Sequence, residues 1–352
     1  MTLEQTVQGI SPPKQMAYKQ AARRWDSIAK PLHGLGLLED AICRIAGAQG
    51  TAQVRIQRRA LAVFCADNGV VREGVTQTGS EVTALVAGNL CHGATSVSKM
   101  AQVANVDVYP VDMGMNTPVE EPGMIDCAVA RGTQNLARGP AMTRAQAVLA
   151  LERGISLACR LAKEGYRIFA TGEMGIGNTT TSSAMASVLL CRPVEEMTGR
   201  GAGLSSEGLC RKISVIEQAI RLNRPNRRDP LDVLAKLGGF DIAGMAGFAL
   251  GAAACGVPVV VDGFISSVAA LTAVRLCPAA QGYLLASHVS GEPAGKLVLD
   301  ALELSPIITA GMHLGEGTGA VSLFPLLDMA LAVYEGMSTF EDIELEEYRP
   351  LE

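Results

Sequence analysis

Four short stretches of the chain are almost continuously apolar: Arg59–Ala66, Val106–Val111, Tyr166–Ala170 and Val257–Val261. A strand with one wet face alternates apolar and polar residues; a strand covered on both faces does not. Between these stretches run segments with helical spacing. Thr143 opens one of them through a capping box with Gln146, apolar residues follow at 148, 151, 155, 158 and 161, and Gly165 offers a stop. Strands alternating with helices predict an α/β fold, a parallel sheet with helices on both faces and right-handed crossovers. At about 150 residues per domain, 352 residues make two domains or one large α/β domain with an appendage. Residues 1–48 and 324–352 read as helical and are expected to form a small lobe from both chain ends. Residues 49–323 then form the large α/β catalytic domain. The cluster Arg221–Pro230 reads as an exposed loop.

Composition removes several classes. With 30 basic and 35 acidic residues the chain carries −5, without the basic stripe of a nucleic-acid binder. A hydrophobic content of 48% is too high for disorder. The nine cysteines are odd in number and never spaced CxxC, which removes the usual zinc patterns and argues against a disulfide framework. They are expected to be mostly small buried hydrophobes in a reducing cytoplasm. Residues 1–14 lack the apolar core of a secretion signal. Residues 242–274 are nearly all apolar, but Pro258 and Asp262 interrupt them, and Ile242–Cys255 is too short for a span of ~20 residues. They parse as a buried helix, the strand Val257–Val261, a turn at Asp262-Gly263 and a helix Ser266–Leu276, so no membrane partner is expected.

In a parallel sheet, ligands bind beyond the carboxyl ends of the strands. The segment Thr171–Thr181 joins a strand to a helix expected to begin near Ser182. Its glycines let backbone N–H groups approach an anion at a helix N-terminus, although neither a P-loop nor GxGxxG is present. It reads either as a phosphate or carboxylate cradle or as a tight turn capped by Asn and Thr. Gly199–Gly203 precedes Lys212, which is either a point charge for phosphate or a solvated surface lysine. Leu314-Gly-Glu-Gly-Thr-Gly319 sets Glu316 between glycines, either facing a ligand as a general base or exposed on a turn. His288 reads as structural, and four dispersed histidines signal no metal site.

Taken together, these stretches resemble one family. They are Ala66-Asp-Asn-Gly-Val-Val-Arg-Glu-Gly-Val75, Glu81-Val-Thr83, Ala137–Met142, Gly172–Thr180, Gly238–Gly247, Val261-Asp-Gly-Phe264, Ser287-His288 and Leu314-Gly-Glu-Gly317. In that order, over roughly residues 25–335, they resemble the nicotinate-nucleotide–dimethylbenzimidazole phosphoribosyltransferases, the CobT enzymes of cobamide lower-ligand activation. The resemblance implies a Rossmann-like sheet, a homodimer, small-molecule substrates and no cofactor. It also implies transfer of phosphoribose from nicotinate mononucleotide to an aromatic base. By motif position, Glu316 matches the general base. Glu173, Asp262 and Ser290 match pocket residues that position base or nucleotide, and Gly175, Gly177, Asn178, Gly201 and Lys212 match the surroundings of phosphate and ribose. Gly315, in the Glu316 turn, is likewise expected to bind substrate. Thr76, Gln77, Thr78 and Ser80 match the segment bordering the incoming base.

The chain departs from the family pattern at Asn68, where His is common, at Thr76–Ser80, where Ser-x-Tyr-Pro is common, and at Gly295, where many relatives carry His. The altered Thr76–Ser80 segment leaves room for the phenol-activating ArsAB branch, a pair of unlike subunits, or for a partner subunit that depends on a second chain. A nicotinamide-cofactor dehydrogenase is disfavoured because no strand-adjacent GxGxxG occurs.

Overall fold

The computed structural model describes residues 1–348. Six strands form one all-parallel sheet: β1 Arg59–Ala66, β2 Asp107–Gly114, β3 Ile125–Asp126, β4 Ile168–Met174, β5 Val259–Val261 and β6 Leu284–Ala286. Their order, β3-β2-β1-β4-β5-β6, is that of a doubly wound Rossmann-like sheet, with the order reversing between β1 and β4.

The unbroken apolar runs have the expected cause. Along β1, Ala60, Ala62, Phe64 and Ala66 enter one apolar core while Leu61, Val63 and Cys65 enter another. β5 divides likewise, Val259 and Val261 to one side and Val260 to the other. The first core is roofed by the helices Arg144–Lys163, Asn178–Leu190, Phe240–Ala254 and Phe264–Leu276. The second lies under Gln15–Ser27, Leu37–Gln49, Glu81–Cys91, Ser96–Val103 and Thr318–Gly336. Trp25, Ile42 and Phe324 thus share a core with strand residues, and Trp25 stacks on Tyr334 at 5.1 Å. Position 324 lies inside the Thr318–Gly336 helix, and residues 349–352 of the expected lobe lie outside the described residues.

The long apolar segment folds as a buried helix, β5 and a second buried helix rather than as a span. Gly154 and Gly247 explain how its first helix packs: a methyl group on either would collide with backbone of the facing helix, so Arg144–Lys163 and Phe240–Ala254 cross with nothing between them. Among the described residues, Thr318–Gly336 is the one helix long and apolar enough to cross a membrane, and half of its apolar window is buried against the sheet layer.

Several boundaries differ from the sequence reading. β2 runs on through Asp112 and Met113, and β4 through Glu173 and Met174, because their neighbours in β1 continue the ladder past the end of the apolar pattern. The helix expected near Ser182 begins at Asn178, directly after Gly177 in left-handed conformation (φ 94°). The helix Ser206–Asn223 extends into the expected loop and ends at Arg224, also left-handed. β3 and β6, with two and three residues, carry too little pattern to be read. Of the nine cysteines only Cys43, Cys65 and Cys277 are buried, since an apolar neighbourhood in sequence does not fix which helix face a thiol occupies.

Candidate active site

A cavity of about 380 Å³ opens beyond the carboxyl ends of β4, β5 and β6. It is lined by Glu173 near the end of β4, by Gly175, Gly177 and Asn178 after it, by Asp262 after β5 and by Ser290 after β6. Gly315 and Glu316 come from the turn before the last long helix, Thr76, Gln77 and Thr78 from the loop after β1, and Gly201 from the 199–203 loop. Two of the residues singled out stand off the wall. Ser80 precedes the Glu81–Cys91 helix outside the lining, and Lys212 lies beneath it.

Each wall has a local cause. Glu173 ends β4 and is buried. The Asn178 amide, in the first turn of the next helix, donates to Glu173 Oε2 and, at 3.0 Å, to Asp241 Oδ2. Burial, reinforced by the nearby carboxyls of Asp241, Asp262 and Glu316, pushes the Glu173 carboxyl up to about 8. Burial likewise lifts Asp241 to about 6 and raises Asp262, the latter opposed by His288, whose Nδ1 stands 4.0 Å from Asp262 Oδ1. Asp262 Oδ1 also accepts from the Ala320 N–H at 3.0 Å, which fixes it at the start of the last helix.

Glu316 reaches the cavity from a turn of three successive left-handed residues, Gly315, Glu316 and Gly317 (φ 95°, 62° and 94°). Its N–H donates to the Glu173 carbonyl at 3.2 Å, and a methyl on Gly172 would collide with the Glu316 backbone. The strand end and the turn therefore touch only because Gly172 has no side chain. Glu316 Oε2 accepts from Val97 N at 3.2 Å, in the first turn of the Ser96–Val103 helix, where free N–H groups favour an anion. Its carboxylate is half-buried on the cavity wall, as a proton acceptor for a bound molecule must be.

Lys212 is fully buried, not solvated. Its Nζ donates to Thr179 Oγ1 at 2.8 Å and to the Gly199 carbonyl at 3.1 Å. Burial lowers it to about 8, with Glu292 acting the other way. Gly201, left-handed at φ 54°, passes so close that a methyl there would lie 2.9 Å from Thr179 Oγ1. The Gln77 amide donates to the Gly203 carbonyl, joining the loop after β1 to the 199–203 loop. Buried acid groups, a helix N-terminus and one buried cation around a single cavity suit an anionic ligand and a group that gives up a proton.

A family model described as phosphoribosyltransferase matches residues 10–344. The chain is 46% identical over 348 residues to the nicotinate-nucleotide–dimethylbenzimidazole phosphoribosyltransferase of Acetivibrio thermocellus, covering 99% of each chain. It is 44% identical to the enzyme of that name from Ruminiclostridium cellulolyticum, over the whole of both. The crystal structure of CobT from Thermus thermophilus superposes with a TM-score of 0.89 at 38% identity, covering 95% of this chain and all of that one. The chain belongs to the nicotinate-nucleotide–dimethylbenzimidazole phosphoribosyltransferase family. The relatives named carry the dimethylbenzimidazole name, not that of the phenol-activating branch.

Sequence reasoning missed parts of this phosphoribosyltransferase site. Val97 holds Glu316 through its N–H and Ser96 lines the cavity beside it in sequence, and the Thr95 N-cap that opens their helix was the available signal. Asp241 stands in the Gly238–Gly247 motif quoted for the family resemblance, yet only the fold carries it to Asn178. His288, read as structural, lines the cavity beside Asp262, and Arg200 and Glu292 line it as well; the Gly199–Gly203 loop and the Ser287-His288 motif marked their neighbourhoods without giving these side chains a place in the site.

Proposed function

We propose that the protein transfers the 5-phosphoribosyl group of nicotinate mononucleotide to a lower-ligand base, 5,6-dimethylbenzimidazole or a close relative. The products are an α-riboside 5′-phosphate and nicotinate. The observation that carries this reading is Glu316 on its glycine turn, facing the same cavity as the Gly172–Thr180 segment. Glu316 takes the azole proton while the other ring nitrogen attacks ribose C1′ from the face opposite the leaving group. Nicotinate leaves from an already cationic pyridinium, so the departing ring needs no proton.

Glu173 holds its proton near neutrality. Asn178 occupies Oε2, which leaves Oε1 to donate into the site. Asp262 and Ser290 orient the substrates from the β5 and β6 loops. Gly175, Gly177, Asn178 and Gly201 bring backbone near the phosphate, and Lys212, acting through Thr179, supplies the positive charge. Thr76, Gln77 and Thr78 border the incoming base, with Ser80 setting the start of the helix behind them. The two chain ends act as a helical lobe around the catalytic domain, and the enzyme works as a cytoplasmic homodimer.

The test offers the purified chain nicotinate mononucleotide with dimethylbenzimidazole, benzimidazole, adenine and p-cresol in competition, with products identified by mass. Riboside phosphates of the benzimidazoles are expected. Absence of any riboside phosphate from the single chain overturns the reading, and a molecular mass in solution equal to one chain overturns the homodimer.

A further inference from the structure

We propose that Cys159 and Cys255 are a dithiol built to close, reversibly, into a disulfide that staples the helix Arg144–Lys163 to the C-terminal end of Phe240–Ala254. Their sulfurs stand 3.4 Å apart, the Cys255 thiol pointing at Cys159, although the residues are 96 positions apart in sequence. Cys159 is half-buried and Cys255 is exposed, so solvent reagents reach both. The approach is imposed by the backbone. A methyl on Gly251 would lie 2.7 Å from the Ile155 carbonyl oxygen and 3.0 Å from Ala158 Cβ, so the two helices are in contact one turn from each thiol. Closing to the ~2.05 Å of a disulfide bond then needs side-chain rotation rather than helix movement.

The chemistry is asymmetric in the required way. Cys159 is lowered to about 6 by the hydrogen bond from the Cys255 thiol, by the chain's N-terminal ammonium and by Lys163, against the effect of burial. Cys255, which holds the shared proton, is raised chiefly by that same hydrogen bond. Cys159 is therefore the more readily ionised of the two thiols and the attacking sulfur. It attacks one sulfur of a low-molecular-weight disulfide such as glutathione disulfide, and one thiolate leaves with the electron pair of the broken S–S bond. The Cys255 sulfur, losing its proton to solvent, then attacks Cys159 Sγ in the mixed disulfide and expels the second thiol. Two protein thiols are oxidised and one small disulfide is reduced to two thiols.

The experiment equilibrates the full-length protein with mixtures of glutathione and glutathione disulfide, caps free thiols by alkylation and maps linked peptides by mass. Expected is a peptide linking residues 159 and 255 that forms before any other cysteine pair and disappears on reduction. The thermal midpoint of the oxidised protein rises by about 5 °C, because the bond closes a long loop. With Cys159→Ser neither the link nor the shift appears; with Cys255→Ser a glutathione adduct accumulates on Cys159. Cys159 and Cys255 that stay fully alkylatable in a mixture that modifies exposed Cys210 overturn the proposal. So does a wild-type protein in which Cys159 stops at the glutathione adduct.

Discussion

Two helices at the site start in the same way and do different work. Asn178–Leu190 and Thr318–Gly336 each begin after a glycine in left-handed conformation, Gly177 and Gly317, both at φ 94° and neither with a side-chain cap. Each start carries a glutamate. Glu173 is still on a strand, inside the β1–β4 ladder, and is sealed by Asn178. Glu316 is one residue from its helix, off every strand, and held by one backbone N–H from a different helix. The ladder buries the first carboxyl and makes it keep a proton. The free turn leaves the second half-buried on the cavity wall, where the proposed proton acceptor has to stand. Residue type and neighbouring glycines are shared; position relative to the sheet sets the chemistry.

The contrast is most exposed to test at Glu316. Glu316→Gln is expected to cut turnover by about 10²–10⁴-fold, the usual worth of a general base, while calorimetric binding of nicotinate mononucleotide persists. A variant that keeps wild-type turnover removes the difference drawn between the two turns. Lys212→Met, which keeps the bulk and deletes the charge, should weaken nucleotide binding by about 10–100-fold with a smaller change in kcat. In the wild type, KM for the nucleotide should climb above about pH 8, where Lys212 gives up its proton and its attraction for phosphate. A KM flat from pH 7 to 9 contradicts that assignment.

Glu173→Gln keeps a hydrogen-bond donor at the strand end, so a loss of about 10-fold or less is expected, well short of the Glu316 variant. Its clearer signature is in stability. The folded carboxyl holds its proton to about pH 8, whereas an unfolded glutamic acid releases it near 4.5. Folding therefore takes up a proton in that window, and this group's contribution falls as pH rises from about 4.5 to 8. Denaturant titrations should find the Gln variant gaining on the wild type across that interval; parallel curves would place Glu173 in water. The smallest effects fall on the helix starts. Gly317→Ala forces a left-handed alanine and puts its methyl 2.6 Å from Leu61 Cδ1, and Gly177→Ala meets Val71 Cγ2 at 2.9 Å. Each is expected to cost about 1–3 kcal/mol, read as a drop in thermal midpoint, with Gly317→Ala the costlier.

How much could be read in advance varies by element. The apolar runs of β1 and β5 and the capping box at Thr143 announce themselves, because covering both faces of a strand and satisfying helix N–H groups demand particular residues locally. β3 and β6 stayed hidden because two or three residues hold no period. The polar ends of β2 and β4 read as loop, since what keeps them extended is a ladder to β1 and not their own side chains. At the site, the glycine turn around Glu316 was visible. Lys212 could be placed in the segment after a glycine loop but not under the cavity floor. Asp241 and Val97 lie too far along the chain for any local pattern to join them to the side chains they touch.

The doubly covered parallel sheet, the glycine turns at its carboxyl edge and, through the order of the motifs, the family were all legible in the residues. These follow from burial and backbone freedom, which act over a few positions. Packing settled the rest: that Glu173 is sealed at a strand end while Glu316 stands on the cavity wall, that Lys212 is buried, and that two thiols 96 positions apart stand face to face. Dielectric surroundings and through-space distance are properties of the packed chain, and no stretch of sequence contains them.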